Sequence, residues 1–198
     1  MKALIVLNGD CPSYEFLREL SIGRALIAAD GGYRHYLNAG LNPCVVVGDM
    51  DSIDGIPPST ETITYDPEKD HTDGYLAIKA TLERGAEDIT LTCALSRQMD
   101  HVMENIRMML FSPVPIRILE PEMEIFLVKE GVSREIPEGR RVSVVPLGES
   151  AELRLTGFKY GFDGVLRDIS GISNISGRGS TVVVRKGTVA IFLHHKTF

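Results

Sequence analysis

The sequence contains no tryptophan and three cysteines in 198 residues, and it carries a formal charge of -6. Cys11, Cys44 and Cys93 are odd in number, widely spaced and without a CxxC pair, which excludes a disulfide framework and argues against structural zinc. Cys44 and Cys93 fall in apolar, strand-like runs and read as buried free thiols. The acidic balance offers no broad basic surface to DNA, RNA or anionic lipid, so neither a nucleic-acid nor a membrane partner is expected. It leaves a nucleotide open, because a divalent cation can bridge phosphates to carboxylates. No apolar run approaches a membrane span, and Ala3 to Leu7 is too short for the core of a signal peptide. A cytoplasmic location is expected. The P-loop pattern, a GxGxxG at the first strand–helix turn, a GxSxG elbow and an HExxH helix are all missing. The five histidines show no transition-metal spacing, and His194 and His195 read as surface residues.

What is present is an ordinary globular composition, 43% hydrophobic and 24% charged, in a chain long enough to bury a core. Two rhythms divide it. Residues 1–120 alternate short apolar runs (Ala3–Leu7, Ala25–Ala29, Val45–Val47, Thr62–Tyr65, Ile89–Cys93, Ile116–Leu119) with helical segments. Residues 73–84 form a helix ended by Gly85, and 101–111 carry Val102, Ile106, Met109 and Leu110 at helical spacing. Such alternation specifies an α/β unit, a Rossmann-like, doubly wound, mostly parallel sheet. Residues 121–198 show only β-rich runs punctuated by Gly, Pro, Asp and Ser, at Ile125–Lys129, Arg141–Val145, Leu153–Leu155, Thr181–Arg185 and Thr188–Leu193. This half reads as a small antiparallel β-sandwich.

Acidic and small polar residues recur where the first-half strands end: Asn8-Gly9-Asp10, Asp30-Gly31-Gly32, Gly48-Asp49-Met50-Asp51 and Asp66. In open α/β sheets ligands bind beyond the carboxyl ends of the strands. Asp10 and Asp66 taken singly read as turn residues. Asp49 and Asp51, at i and i+2 in extended chain, would project to one side and repel unless a cation compensates them. Magnesium suits such a pair. Lys69-Asp70-His71-Thr72-Asp73 opens the 73–84 helix. Asp70 or Thr72 would cap it, and a helix N-terminus also binds anions, so Lys69 and Thr72 are phosphate candidates and Asp73 a third metal carboxylate. Asp100 reads as the N-cap of the 101–111 helix. Arg97 just before it faces either a phosphate or solvent.

The series DGG, GDMDSI, EKDHTD, a DH opening a helix and GISN in a β-rich tail resembles the thiamine pyrophosphokinase (thiamine diphosphokinase) family over nearly the whole chain. The resemblance implies transfer of the pyrophosphoryl group of ATP to the hydroxyl of thiamine, giving thiamine diphosphate and AMP. It implies that Asp49, Asp51 and Asp73 hold Mg²⁺ and that Asp30, Asp70 and Thr72 line the phosphate side, joined by Asn8, Gly31, Lys69 and Arg97. Asp100, Ser173 and Asn174 would contact thiamine. A homodimer is implied, the 1–120 unit catalytic and the 121–198 unit binding thiamine and dimerising. Asp49, Asp51, Asp70 and Asp73 are then the catalytic set, with the general base open among Asp70, Asp73 and Asp100.

One stretch departs from the family's GGRxDH pattern, reading Ser96-Arg97-Gln98-Met99-Asp100-His101. It keeps alive a diphosphokinase for another heterocyclic alcohol, such as a hydroxymethyl pterin. The remaining rival is a non-catalytic nucleotide- or thiamine-binding module, against which three acids in metal order speak. Without tryptophan, Phe158, Tyr160 and Phe162 are the aromatic candidates for stacking on thiamine.

Overall fold

The structure is a computed structural model that describes residues 1–50, 53, 55–66, 68, 70–95, 98–167 and 171–197, the last two without their side chains. It divides into two compact units, Met1–Pro121 and Glu122–Phe198.

In the first unit, β1 (Lys2–Val6) is followed by α1 (Tyr14–Ser21), β2 (Ala25–Ala29), α2 (Gly32–Asn38) and β3 (Val45–Gly48). β4 (Glu61–Thr64), α3 (Asp73–Glu83), β5 (Asp88–Thr92), α4 (Met99–Phe111) and β6 (Ile116–Glu120) complete it. The strands pair in the order β6-β5-β1-β2-β3-β4, and every pairing is parallel. β1 and β3 are near-continuous apolar runs because strands covered on both faces have no solvent side to keep polar. α2 packs on β1 and β2 and touches α1, whereas α3 packs on β1, β2 and β3 and touches α4. The chain winds outward from β1 to β4, then returns to place β5 on the other side of β1. β1 and β5 therefore flank the point where the winding reverses.

Helix ends follow local chemistry. Ser13 Oγ accepts from Phe16 N at 3.1 Å to cap α1, and Thr72 Oγ1 accepts from Tyr75 N at 3.2 Å to cap α3. Gly85, at φ +77, ends α3 in the left-handed conformation glycine tolerates. α4 begins two residues earlier than the periodicity indicates, with Gln98 as its N-cap residue. Asp100 is thus a first-turn acid favoured by the helix dipole, not the cap.

The second unit contains β7 (Met123–Lys129), β8 (Ser133–Glu135), β9 (Arg140–Pro146), β10 (Ala151–Phe158), β11 (Phe162–Leu166), β12 (Gly171–Lys186) and β13 (Thr188–Thr197). All its pairings are antiparallel, in the order β11-β10-β12-β9-β13-β7 with β8 also on β12. β12 serves two sheets: its first residues pair with β9, its later ones with β10 and β8. Val142, Val144 and Ile191 from one sheet meet Leu153, Leu155 and Val184 from the other in one buried cluster, a sandwich-like arrangement.

Two side chains depart from expectation. Cys44 is exposed, because it precedes β3 and its thiol donates to Leu26 O at 3.0 Å on the sheet's margin. His194 is half-buried beside the Arg141 guanidinium, 3.0 Å from its Nδ1.

Candidate active site

Beyond the carboxyl ends of β1 and β5 lies a cleft of about 210 Å³. This is where a doubly wound sheet opens a crevice, because the connections on either side leave in opposite directions. Its floor is Leu7, Asn8 and Gly9 after β1 and Cys93 and Ala94 after β5. The two segments stay paired past the strands: Leu7 N donates to Thr92 O and Gly9 N to Cys93 O, both at 3.0 Å. Asp30 enters from β2, Thr72 and Asp73 from the start of α3, and His101, Glu104 and Asn105 from α4.

Close backbone approach explains the small residues. A Cβ on Gly31 would stand 2.3 Å from Asn8 Oδ1, and one on Gly32 2.1 Å from Val6 O. A Cβ on Gly48 would stand 2.9 Å from Asp30 Cβ, so the end of β3 lies directly against Asp30. Asp30 itself has φ 43, and its amide donates to Val47 O at 2.8 Å. A non-glycine residue held in that region is a local strain of the kind that collects at ligand sites.

Of the residues anticipated from sequence, Asn8, Asp30, Thr72 and Asp73 meet in this one cleft. Gly31 packs directly behind Asn8. Asp49 is half-buried where β3 ends, and α3, which Asp73 opens, packs on β3. Asp70 is exposed in the turn before Thr72, and Asp100 is exposed on α4. Asp66 makes a turn, accepting from Glu68 N at 2.9 Å. Asp51, Lys69 and Arg97 lie outside the described residues. Met50, expected to be extended between Asp49 and Asp51, instead adopts φ 65, and its carbonyl accepts from Ile53 N at 3.4 Å. Among the described residues no three Asp, Glu, His or Cys side chains form a metal cluster. The carboxylates of Asp49 and Asp73 are nonetheless the hard oxygen donors that magnesium takes.

In the second unit Ser173 is exposed with φ 58, and its amide donates to Ser143 Oγ at 3.1 Å. Asn174 is 5% exposed. Its Oδ1 accepts from Tyr160 N at 3.0 Å and Ile175 N at 2.9 Å, while its Nδ2 donates to Tyr160 O at 2.8 Å. The amide therefore clamps the backbone of Tyr160, whose own side chain is 61% exposed. Phe158 is buried in the core and Phe162 packs against it, which leaves Tyr160 as the outward-facing aromatic of the three.

Sequence reasoning missed Glu120, Asn105, Glu104 and His101. Glu120, 6% exposed, ends β6 and accepts from Ala94 N at 2.8 Å and Thr92 Oγ1 at 3.3 Å. Burial pushes its carboxyl up to about 7, against the opposing pull of the amides. Beside it, the interaction of the Cys11 and Cys93 thiols lowers Cys11 and raises Cys93. Asn105 Nδ2 donates to Ala94 O at 3.0 Å. Both residues left a trace in the sequence. Glu120 stands in register with Ile116 and Ile118 on the inward side of an alternating strand, and Asn105 interrupts the stripe of Val102, Ile106 and Met109.

Residues 17–119 match the family model of the thiamin pyrophosphokinase catalytic domain. The thiamine pyrophosphokinase of Bacillus subtilis is 31% identical over 148 residues, 68% of this chain and 68% of that protein. A crystal structure of the B. subtilis enzyme superposes with a TM-score of 0.85 at 25% identity, covering 98% of this chain and 99% of that one. The Geobacillus thermodenitrificans thiamin pyrophosphokinase shares the fold, with a TM-score of 0.83 at 24% identity and coverage of 99% and 98%. With the cleft at the β1/β5 crevice, these likenesses place the chain in the thiamin pyrophosphokinase family.

Proposed function

We propose that this protein is a thiamine diphosphokinase: it transfers the terminal pyrophosphoryl group of ATP to the hydroxyethyl oxygen of thiamine, yielding thiamine diphosphate and AMP. The observation that carries the reading is the convergence of Asn8, Asp30, Thr72 and Asp73 on one cleft of a chain in this family.

In the reaction the alcohol oxygen bonds to the β-phosphorus, and the bond from that phosphorus to the α–β bridging oxygen breaks, so AMP departs with the electron pair. The alcohol proton passes to a carboxylate, with Asp70, Asp73 and Asp100 the candidates. Asp49, Asp51 and Asp73 would hold magnesium, whose charge would neutralise the phosphate oxygens when bound. The chain's own part is positioning. The amide end of α3, capped by Thr72, favours phosphate there, and the family resemblance assigns Lys69 and Arg97 to the same phosphates. Asn8 and Gly31 complete the phosphate side. Ser173 and Asn174, with Tyr160, whose backbone Asn174 holds, belong to thiamine recognition, together with Asp100. The active form is a homodimer, and it works in the cytoplasm.

Incubation with ATP, Mg²⁺ and thiamine tests the reading through the nucleotide product. AMP with thiamine diphosphate supports it; ADP, or turnover with a hydroxymethyl pterin in place of thiamine, refutes it.

A further inference from the structure

The backbone after β5 is shaped around an internal anion. Cys93 adopts φ 52, in the left-handed region, and so turns the amides that follow it toward one side. Successive amides in such a turn make a concave nest for negative charge. The nest is occupied by Glu120. Ala94 N donates to its Oε1 at 2.8 Å and Thr92 Oγ1 to its Oε2 at 3.3 Å, and the nearby amides of Leu95 and Cys93 also favour its charged form. The opposite face of the same backbone is the cleft wall. There Cys93 O takes Gly9 N and Ala94 O takes Asn105 Nδ2, each at 3.0 Å. Glu120 itself stands behind the wall, in the buried layer of β6.

We propose that Glu120 is a positioning residue for the transfer reaction: its buried carboxylate holds residues 92–95 in the one conformation that lets Cys93, Ala94, Gly9 and Asn105 form the wall of the nucleotide cleft. The inference rests on the diphosphokinase reading for its kinetic consequence and on the geometry alone for its structural one. Without the carboxyl, the Ala94 amide and the Thr92 hydroxyl lose the buried acceptor that holds this backbone in place.

The test joins amide exchange to kinetics in the full-length wild type, Glu120→Ala and Glu120→Gln, all at one pH. Protection of the Ala94 amide, corrected for intrinsic exchange, should fall about tenfold in Glu120→Ala, the loss of one buried hydrogen bond, with the nucleotide KM raised about tenfold and kcat unchanged. Glu120→Gln, which keeps an acceptor for the Ala94 amide, should restore most of both. A folded Glu120→Ala with wild-type protection and KM overturns the proposal. If that variant does not fold, a wild-type Ala94 amide that exchanges as fast as an exposed loop overturns it instead. If the wild type shows no turnover with thiamine, the diphosphokinase reading falls, while Ala94 exchange still decides the role of Glu120.

Discussion

Gly31 lies so close to Asn8 that a single added methyl would stand 2.3 Å from the Asn8 carboxamide oxygen. One residue on, Gly32 meets not a side chain but the carbonyl of Val6, 2.1 Å from where its own Cβ would be. The distinction sets two different outcomes. Asn8 is exposed and can swing away, whereas Val6 belongs to the central strand. Gly31→Ala should fold normally and raise the KM for ATP by about tenfold, the effect of losing one polar contact. Gly32→Ala should lose about 3 kcal/mol or fail to fold, as overpacked cores do. Urea unfolding and ATP titration of the two variants separate these cases; equal destabilisation by both would contradict the assignment of Asn8 to the ligand side.

Thr72 has two roles that one substitution series can divide. Its hydroxyl caps α3 through Tyr75 N, and it lines the cleft. Thr72→Ala should cost about 1 kcal/mol of stability and also weaken nucleotide binding, while Thr72→Ser should restore both. Thermal unfolding with and without nucleotide reads the two effects. A Thr72→Ala protein with reduced stability and unchanged nucleotide affinity would leave Thr72 a cap alone.

In the second unit, Asn174 makes three hydrogen bonds from one buried side chain, two of them to Tyr160. Asn174→Ala leaves those backbone groups without partners and should destabilise by about 2–3 kcal/mol. Tyr160→Ala should stay within about 0.5 kcal/mol of the wild type, since its side chain is exposed, yet raise the KM for thiamine. Chemical denaturation beside thiamine kinetics distinguishes them. Full stability in Asn174→Ala, or an unchanged thiamine KM in Tyr160→Ala, contradicts this division of labour.

The architecture was legible because its signals are periodic. Val45 to Val47 and Ile89 to Leu91 are apolar runs that only a doubly covered strand explains, and Gly85 marks the end of α3. The acidic loops could be assigned to the ligand edge once parallel order was inferred. Other features carry no such signal. The Gly- and Ser-rich stretch from Gly171 to Ser180 lacks alternation, yet it forms the first part of β12, held by Asn174 and by Ser176, whose Oγ donates to Pro137 O at 2.6 Å. The left-handed turn at Met50 is invisible in a sequence that reads as extended. Glu120 was overlooked because an acid at a strand end resembles a surface residue until Thr92 and Ala94 are seen to enclose it.

Glu120 also predicts how stability varies with pH. Its carboxyl titrates at about 7 in the folded chain, against about 4.3 when unfolded. The folded state thus keeps a proton that the unfolded state has lost between those values, and stability falls as the pH rises through that window. The contribution is fully present below pH 4.3 and gone above about 7, a change of about 3 kcal/mol. Measured by urea unfolding, the stability of wild type relative to Glu120→Gln should drop by about that amount from pH 4.5 to pH 8. A constant difference would show that Glu120 is not held against its charge.

The central claim is that the β- and γ-phosphates leave ATP together. Separate reactions with ATP labelled at the β- and at the γ-phosphorus, in the presence of thiamine and Mg²⁺, measure this directly. Both labels should appear in thiamine diphosphate in equal amount, with none in AMP, and Asp51→Asn should abolish the transfer in a folded protein. Recovery of only the γ-label in a thiamine ester, with the β-label left in ADP, would contradict the account.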